Sequence, residues 1–378
     1  MGTSVIIRVN RLTDCQLSNN LLNHLKLIQT APRTVLTVII VFMTSNEQLN
    51  IESNYHEKLT EIADLLLAWQ GPIVLATHVD PDGDAVGSTL TLNRALKVMG
   101  KSTMVSLVVP NFLEFLPKPN ELVSQIDTSL AGSLLITLDA ATASRVAGVT
   151  MDSAQMTINI DHHGTNELFG DYFLVDPNKA ATALIIKDLI EYLGVPWSKD
   201  LSIPCLTGIL TDTGFLTFAN TSPDTLQAVA ALLSTDLDYA ELTDRLQWRP
   251  KEYYGLLAQV MSTVDFALDD RVILARVTDQ MRNGPGGALL DSEDFIGLIR
   301  YAEDTSIAVL LKERGASTKV SLRTRHGISA QNICLNLGGG GHVVAAGATV
   351  AADVDTTQDL VLQLIAKELK KAPSNNKK

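Results

Sequence analysis

From about residue 53 the stretch YHEKLTEIADLLLAWQ repeats apolar residues at three- and four-residue spacing, which predicts a helix. Gly71 and Pro72 stop it, and the apolar run IVLATHV that follows has the length and character of a buried strand. Asp84 to Met99 then reads as an amphipathic helix ended by Gly100. Short apolar runs at TMVSLVV, LLITLDA and MTINIDH predict further strands, and ATALIIKDLIEYLG and PDTLQAVAALLS predict helices that carry the pattern to about residue 235. Strands that alternate with helices need crossover connections. This part of the chain is therefore expected to be α/β, a parallel sheet with flanking helices.

The pattern changes at Tyr239. Residues 239–264 read as a helical connector carrying Trp248, Arg249 and Pro250, after which RVILARV opens a second, smaller α/β domain. That domain holds two more strand-like runs, SIAVLLKE and KVSLRTR, and a glycine cluster. The expected organisation is an N-terminal extension over 1–50, a catalytic domain over 51–238, the connector over 239–264, a substrate-binding domain over 265–370 and a disordered tail over 371–378. The apolar run VLTVIIVFM, Val35 to Met43, falls well short of the roughly 20 residues that span a bilayer, and no small-residue cleavage site follows it. The polar segment MTSNEQLN makes Met43 an alternative start, with residues 1–42 an upstream extension.

Composition narrows the functional classes. A chain of 378 residues with 46% hydrophobic content has ample core material. The formal net charge of -12 argues against a nonspecific binder of long duplexes, which needs dense Lys and Arg to displace counterions, so any nucleic-acid substrate should be short. Cys15, Cys205 and Cys334 stand far apart without a CxxC pair, which suggests neither disulfides nor a zinc knuckle. A reducing, cytoplasmic setting without a membrane is expected, with Cys205 and Cys334 as small core residues.

The candidate chemistry lies at strand ends. His78-Val-Asp-Pro-Asp82-Gly-Asp84 follows the first strand, Asp139 closes LLITLD, and Asp161-His162-His163 follows MTINI. In a parallel sheet the carboxyl ends of the strands line one crevice, so these positions should converge. Carboxylates and imidazoles without thiolates suit Mn²⁺ or Mg²⁺, with Co²⁺ also possible and His favouring Mn²⁺. More ligands are present than one ion needs. Two ions bridged by one carboxylate would use them and activate a water for phosphoryl transfer. Each signal has a plainer reading: Asp84 as the cap of its own helix, and Asp212, in TGILTDTGF, as a residue at a helix C-terminus. The run Gly338, Gly339, Gly340 and Gly341 before His342 reads either as a flexible linker or as backbone amides that cradle an anion, and Arg323 either as a ligand contact or as the solvated face of a strand.

The motifs together resemble the DHH phosphoesterases. HVDPDGDAVGS (78–88), LDAA (138–141), DHHG (161–164) and GILTDTGF (208–215) look like that family's four motifs in order, and GGGGH (338–342) with AAGA (345–348) and SLRTR (321–325) resembles the DHHA1 domain. The resemblance covers roughly residues 55 to 370 and leans toward the oligoribonuclease/3'-phosphoadenosine-5'-phosphate (pAp) phosphatase branch. It implies that His78, Asp82 and Asp139 hold one divalent ion while Asp84, Asp139, His162 and Asp212 hold the other, with Asp139 as the bridge. It further implies that His163 faces the scissile phosphate as a catalytic residue and that Asp161 orients an imidazole from behind the ligands. Arg323, the glycines 338–341 and His342 would contact the substrate. Substrates would be single-stranded RNA or DNA of about two to five nucleotides and pAp, and relatives are usually dimers. The alternatives are a phosphodiesterase for linear dinucleotides, a pyrophosphatase, against which GGGGH speaks, and a non-catalytic nucleotide sensor, against which the complete ligand set speaks.

Overall fold

The structure, a computed structural model, describes residues 54–371 apart from 124, 127–128 and 285–293. The extension over 1–50, the apolar run at 35–43, the alternative start at Met43, Cys15, His24 and the tail beyond 371 lie outside the described residues. Two compact units divide between Leu246 and Gln247. No described helix is long and apolar enough to cross a membrane.

The first unit is built on five parallel strands in the order β2-β1-β3-β4-β5: β1 Ile73–Thr77, β2 Thr103–Ser106, β3 Leu134–Leu138, β4 Met156–Asp161 and β5 Tyr172–Val175. Every residue of β1 and β3 is buried, as continuous apolar runs in a parallel sheet require. Side-chain alternation splits the sheet's two faces. Ile73, Leu75, Leu134 and Ile136 join the main core with the helices 54–68, Gly83–Val98, Thr182–Tyr192 and Lys199–Asp212, whereas Val74, Ala76 and Leu135 meet a smaller cluster with Ile126, Leu130 and Val146. The chain leaves β1 toward β2 and then returns to the other side of β1 to lay down β3. The carboxyl ends of β1 and β3 therefore flank the switch point where α/β sheets bind ligands.

Two helices at that end pack unusually close. A Cβ on Gly87 would lie 2.8 Å from the Gly208 amide nitrogen and would also press on the Pro204 carbonyl, both of them backbone. Gly87→Ala should therefore wedge the Gly83–Val98 and Lys199–Asp212 helices apart and cost about 1–3 kcal/mol, read as a lower melting temperature. An unchanged melting temperature would contradict this packing. Pro204 sits inside the second helix and deprives the Asp200 carbonyl of its helical donor, and Arg94 Nη1 fills the gap at 2.8 Å. Cys205 and Cys334 are buried, and burial pushes both thiols up, that of Cys334 to about 11.

The second unit is a six-stranded mixed sheet in the order β10-β11-β9-β8-β7-β6, in which only β7 and β8 run parallel: β6 Asp265–Ala267, β7 Val272–Val277, β8 Ile307–Arg314, β9 Ser317–Thr324, β10 Gly340–His342 and β11 Ala345–Val350. Val272, Val309, Val320 and Leu322 pack with Val361 and Ile365 of the helix Val354–Leu369. The opposite face buries Ile273, Ala308 and Leu310 with Tyr253, Leu256 and Val260. The segment 239–264 is two helices rather than one, broken at Trp248–Pro250. Leu242 and Leu246 of the first pack into the core of the first unit, and Tyr253, Leu256 and Val260 of the second into that of the other.

Candidate active site

Thr77 pairs with Leu138 and Leu138 with Ile160, so the next residues outward, His78, Asp139 and Asp161, come level at the rim of the sheet. Asp139 lies one residue beyond β3 rather than in it, with φ 55°, a left-handed conformation that Asp tolerates better than most residues. Its amide donates to the Ile160 carbonyl at 3.0 Å, which holds the turn that aims the carboxylate inward.

The carboxylate of Asp139 lies between two groups of side chains. Its Oδ2 is 3.6 Å from His78 Nε2, and its Oδ1 is 3.6 Å from His162 Nε2. His162 Nε2 in turn lies 3.9 Å from Asp84 Oδ2 and 3.1 Å from Asp212 Oδ2. His78, Asp82 and Asp139 form one cluster able to hold an ion, and Asp84, Asp139 and His162 form another. Asp139 belongs to both.

Proton positions follow from the partners, because a carbonyl can only accept. His78 Nδ1 donates to the Val79 carbonyl (2.8 Å) and His162 Nδ1 to the Lys179 carbonyl (3.2 Å), which turns each Nε2 toward the carboxylates. Asp161, fully buried, accepts from His163 Nδ1 at 2.7 Å and from Asn166 Nδ2 at 2.6 Å. It holds the ring of His163 rather than that of either proposed ligand histidine, and it also takes the backbone amide of His162.

Burial drives the Asp84 and Asp139 carboxyls well above the ordinary carboxylate range, and neighbouring Asp carboxylates push both further. Burial alone would lower His162, but its hydrogen bond to Asp212 and the surrounding negative charge more than reverse this and hold it up at about 10. Such a cluster is poorly stable by itself. Oxygen and imidazole donors around a shared carboxylate, starved of positive charge, fit divalent cations.

The helix caps differ from the sequence expectation. Asp82, not Asp84, caps the Gly83–Val98 helix, taking the Asp84 and Ala85 amides at 3.0 and 3.1 Å. That helix is buried over most of its length rather than amphipathic. Asp84 is fully buried and instead accepts from the amides of Thr182 and Ala183, at 2.5 and 2.9 Å, which open another helix. Asp212 does end the Lys199–Asp212 helix, and that position brings its Oδ2 to 3.1 Å from His162 Nε2. Thr182, Lys179, Asn166 and Asn159 were not singled out by sequence reasoning. Asn159 belongs to MTINI, and a polar residue inside an apolar strand was an available signal.

In the second unit the register places His342 opposite Ala345 and Ala345 opposite Arg323, so Arg323 and His342 share one face across three strands. The adjoining row on that face is Gly340, Gly347 and Ser321. Between the two long side chains the surface is thus glycine and alanine, a shallow floor of nearly bare backbone. The glycine run is no linker. The amides of Gly338 and Gly339 donate to the Leu335 and Cys334 carbonyls, finishing the short helix before them, so these two do not cradle an anion as the sequence reading had it. Gly341 has φ 133°, and a Cβ there would lie 2.7 Å from the Ala345 carbonyl oxygen. Arg325 follows β9, and His56 and His326 are exposed.

The sequence matches the DHH family N-terminal domain over residues 72–209 and the DHHA1 domain over 269–371. It is 49% identical over 322 residues to the bifunctional oligoribonuclease and PAP phosphatase of Thermus thermophilus, covering 85% of this chain and 97% of that one. The protein of the same description from Bacillus subtilis is 24% identical over 283 residues, covering 74% of this chain and 89% of that one. Among solved structures, an exopolyphosphatase-related protein from Bacteroides fragilis has a TM-score of 0.73 at 21% identity, covering 84% of this chain and 96% of that one, a likeness of fold.

Proposed function

Because the chain belongs to the DHH phosphoesterase family, joining a DHH domain to a DHHA1 domain, we propose that it hydrolyses short oligonucleotides of about two to five residues to mononucleotides and removes a phosphate from pAp. The observation that carries this reading is the Asp139 carboxylate, shared between the His78–Asp82 group and the Asp84–His162–Asp212 group. Its two oxygens face different imidazoles, the layout of a carboxylate that bridges a pair of ions. When bound there, two divalent ions, Mn²⁺ by the preference of imidazole, would neutralise phosphate charge and turn water into a nucleophile. The leaving oxygen would take its proton from water or from His163, whose Nδ1 proton Asp161 holds and whose other nitrogen can donate only from the doubly protonated ring. Asp161 would hold that ring in place throughout the reaction.

Arg323 and His342, which share one face of the second sheet, are proposed to grip the far end of a short substrate. The Thermus relative's two activities fit such an arrangement, since pAp presents a phosphate at each end of one nucleoside.

The test is a product time course on 5'- and 3'-labelled dinucleotides to hexanucleotides with pAp alongside, in Mn²⁺ and after EDTA. The expected result is mononucleotide release and pAp dephosphorylation, both abolished by EDTA and restored by Mn²⁺. Tight nucleotide binding without turnover under any divalent metal would favour the sensor reading instead.

A further inference from the structure

We propose that Thr182 is a positioning residue for the second ion, holding Asp139 and Asp84 in the orientations that the ion's ligand set needs. The proposal rests on the metal-dependent reading above.

Thr182 is fully buried and opens the Thr182–Tyr192 helix. Its hydroxyl donates to Asp139 Oδ1 at 3.0 Å, the same oxygen that faces His162. A carboxylate that serves two ions must keep each oxygen turned to its own side, and this bond restrains that rotation. The amide of the same residue donates to Asp84 Oδ2, and the next amide to Asp84 Oδ1. Three residues earlier, the Lys179 carbonyl fixes the tautomer of His162. That segment is itself anchored, because Lys179 Nζ and the Tyr55 hydroxyl converge on Asp188 Oδ2 at 2.6 and 2.8 Å. One short run of chain thus orients three of the four side chains in the second group.

Capping does not account for the hydroxyl. The cap position belongs to Ala181, which has no side-chain bond, and the proton of Thr182 goes to Asp139. The other members of the first group are held locally, His78 Nδ1 by the Val79 carbonyl and one oxygen of Asp82 by the amides of its own helix.

The experiment is calorimetric titration of metal-free protein with Mn²⁺, comparing wild type with Thr182→Val, which keeps the shape and removes the donor, and Thr182→Ser, which keeps the donor. Thr182→Val should weaken one of the two binding steps by about 10–100-fold, the usual cost of losing a partner behind a ligand, while Thr182→Ser stays within about threefold of wild type. Should the valine variant fail to fold by circular dichroism, Thr182→Ala takes its place with the same expected loss. A folded valine or alanine variant that binds both ions as wild type does overturns the proposal, as does a serine variant that loses the step. Wild-type protein that takes up no Mn²⁺ overturns the metal reading itself, and this inference with it.

Discussion

Asp139→Ala is expected to lower turnover by at least three orders of magnitude on every substrate and to strip Mn²⁺ from the protein. Both clusters lose a ligand at once, and two cations brought close without the shared negative charge repel each other. The remaining carboxylates, Asp84 above all, keep their burial but not the ions that would justify it. The substitution also places alanine at φ 55°, where it is strained by about 1 kcal/mol more than aspartate, so a small fall in melting temperature should accompany it. Asp139→Asn separates the two effects, because asparagine tolerates that backbone while removing the charge. It should melt like wild type and still be inactive. Retention of more than about a tenth of the wild-type rate with full metal content, a barrier change below roughly 1.4 kcal/mol, contradicts the bridging role.

Arg323→Ala and His342→Ala should each reduce kcat/KM on dinucleotides and on pAp by about ten-fold to a thousand-fold, equivalent to roughly 1.4–4 kcal/mol of transition-state stabilisation. Both residues are far in sequence from every proposed ligand, and they share a face of the second sheet with only Ala345 between them. A side chain that grips the far end of a substrate contributes binding energy without touching the ions. Metal content should therefore stay normal. Bis-p-nitrophenyl phosphate, which has no distant group to hold, should be hydrolysed almost as fast as by wild type. Equal losses on both kinds of substrate with metal retained would instead place these residues in the chemical step. Lysine at 323 should recover little, because a point charge does not reproduce the guanidinium's planar fork.

What the sequence revealed, and what it hid, follows from the range of the interactions. β1 and β3 were legible because strands buried on both faces are mostly apolar, β4 from its shorter apolar run, and their ends marked the crevice before any contact was known. β5 is only four residues long, β10 only three, and β11 opens on Ala-Ala-Gly-Ala, so each carries little strand signal. The proposed ligands sit in compact motifs, but the groups that aim them do not. Thr182, Lys179 and Asn166 act through hydrogen bonds to residues outside their own turns, and an isolated Thr, Lys or Asn in a helical or loop pattern carries no periodic signal. Asp84 shows the same limit. Its plainer sequence reading was a cap for the nearest helix, and only the fold revealed that its carboxylate takes the amides that open a helix 98 residues away.

The account stands most directly on a crystal soaked in Mn²⁺ and measured at the manganese absorption edge. It predicts two anomalous peaks about 3.5–4 Å apart, one beside His78 and Asp82 and the other beside Asp84, His162 and Asp212, each in contact with one oxygen of Asp139. A single peak, or two peaks that do not share Asp139, would contradict it.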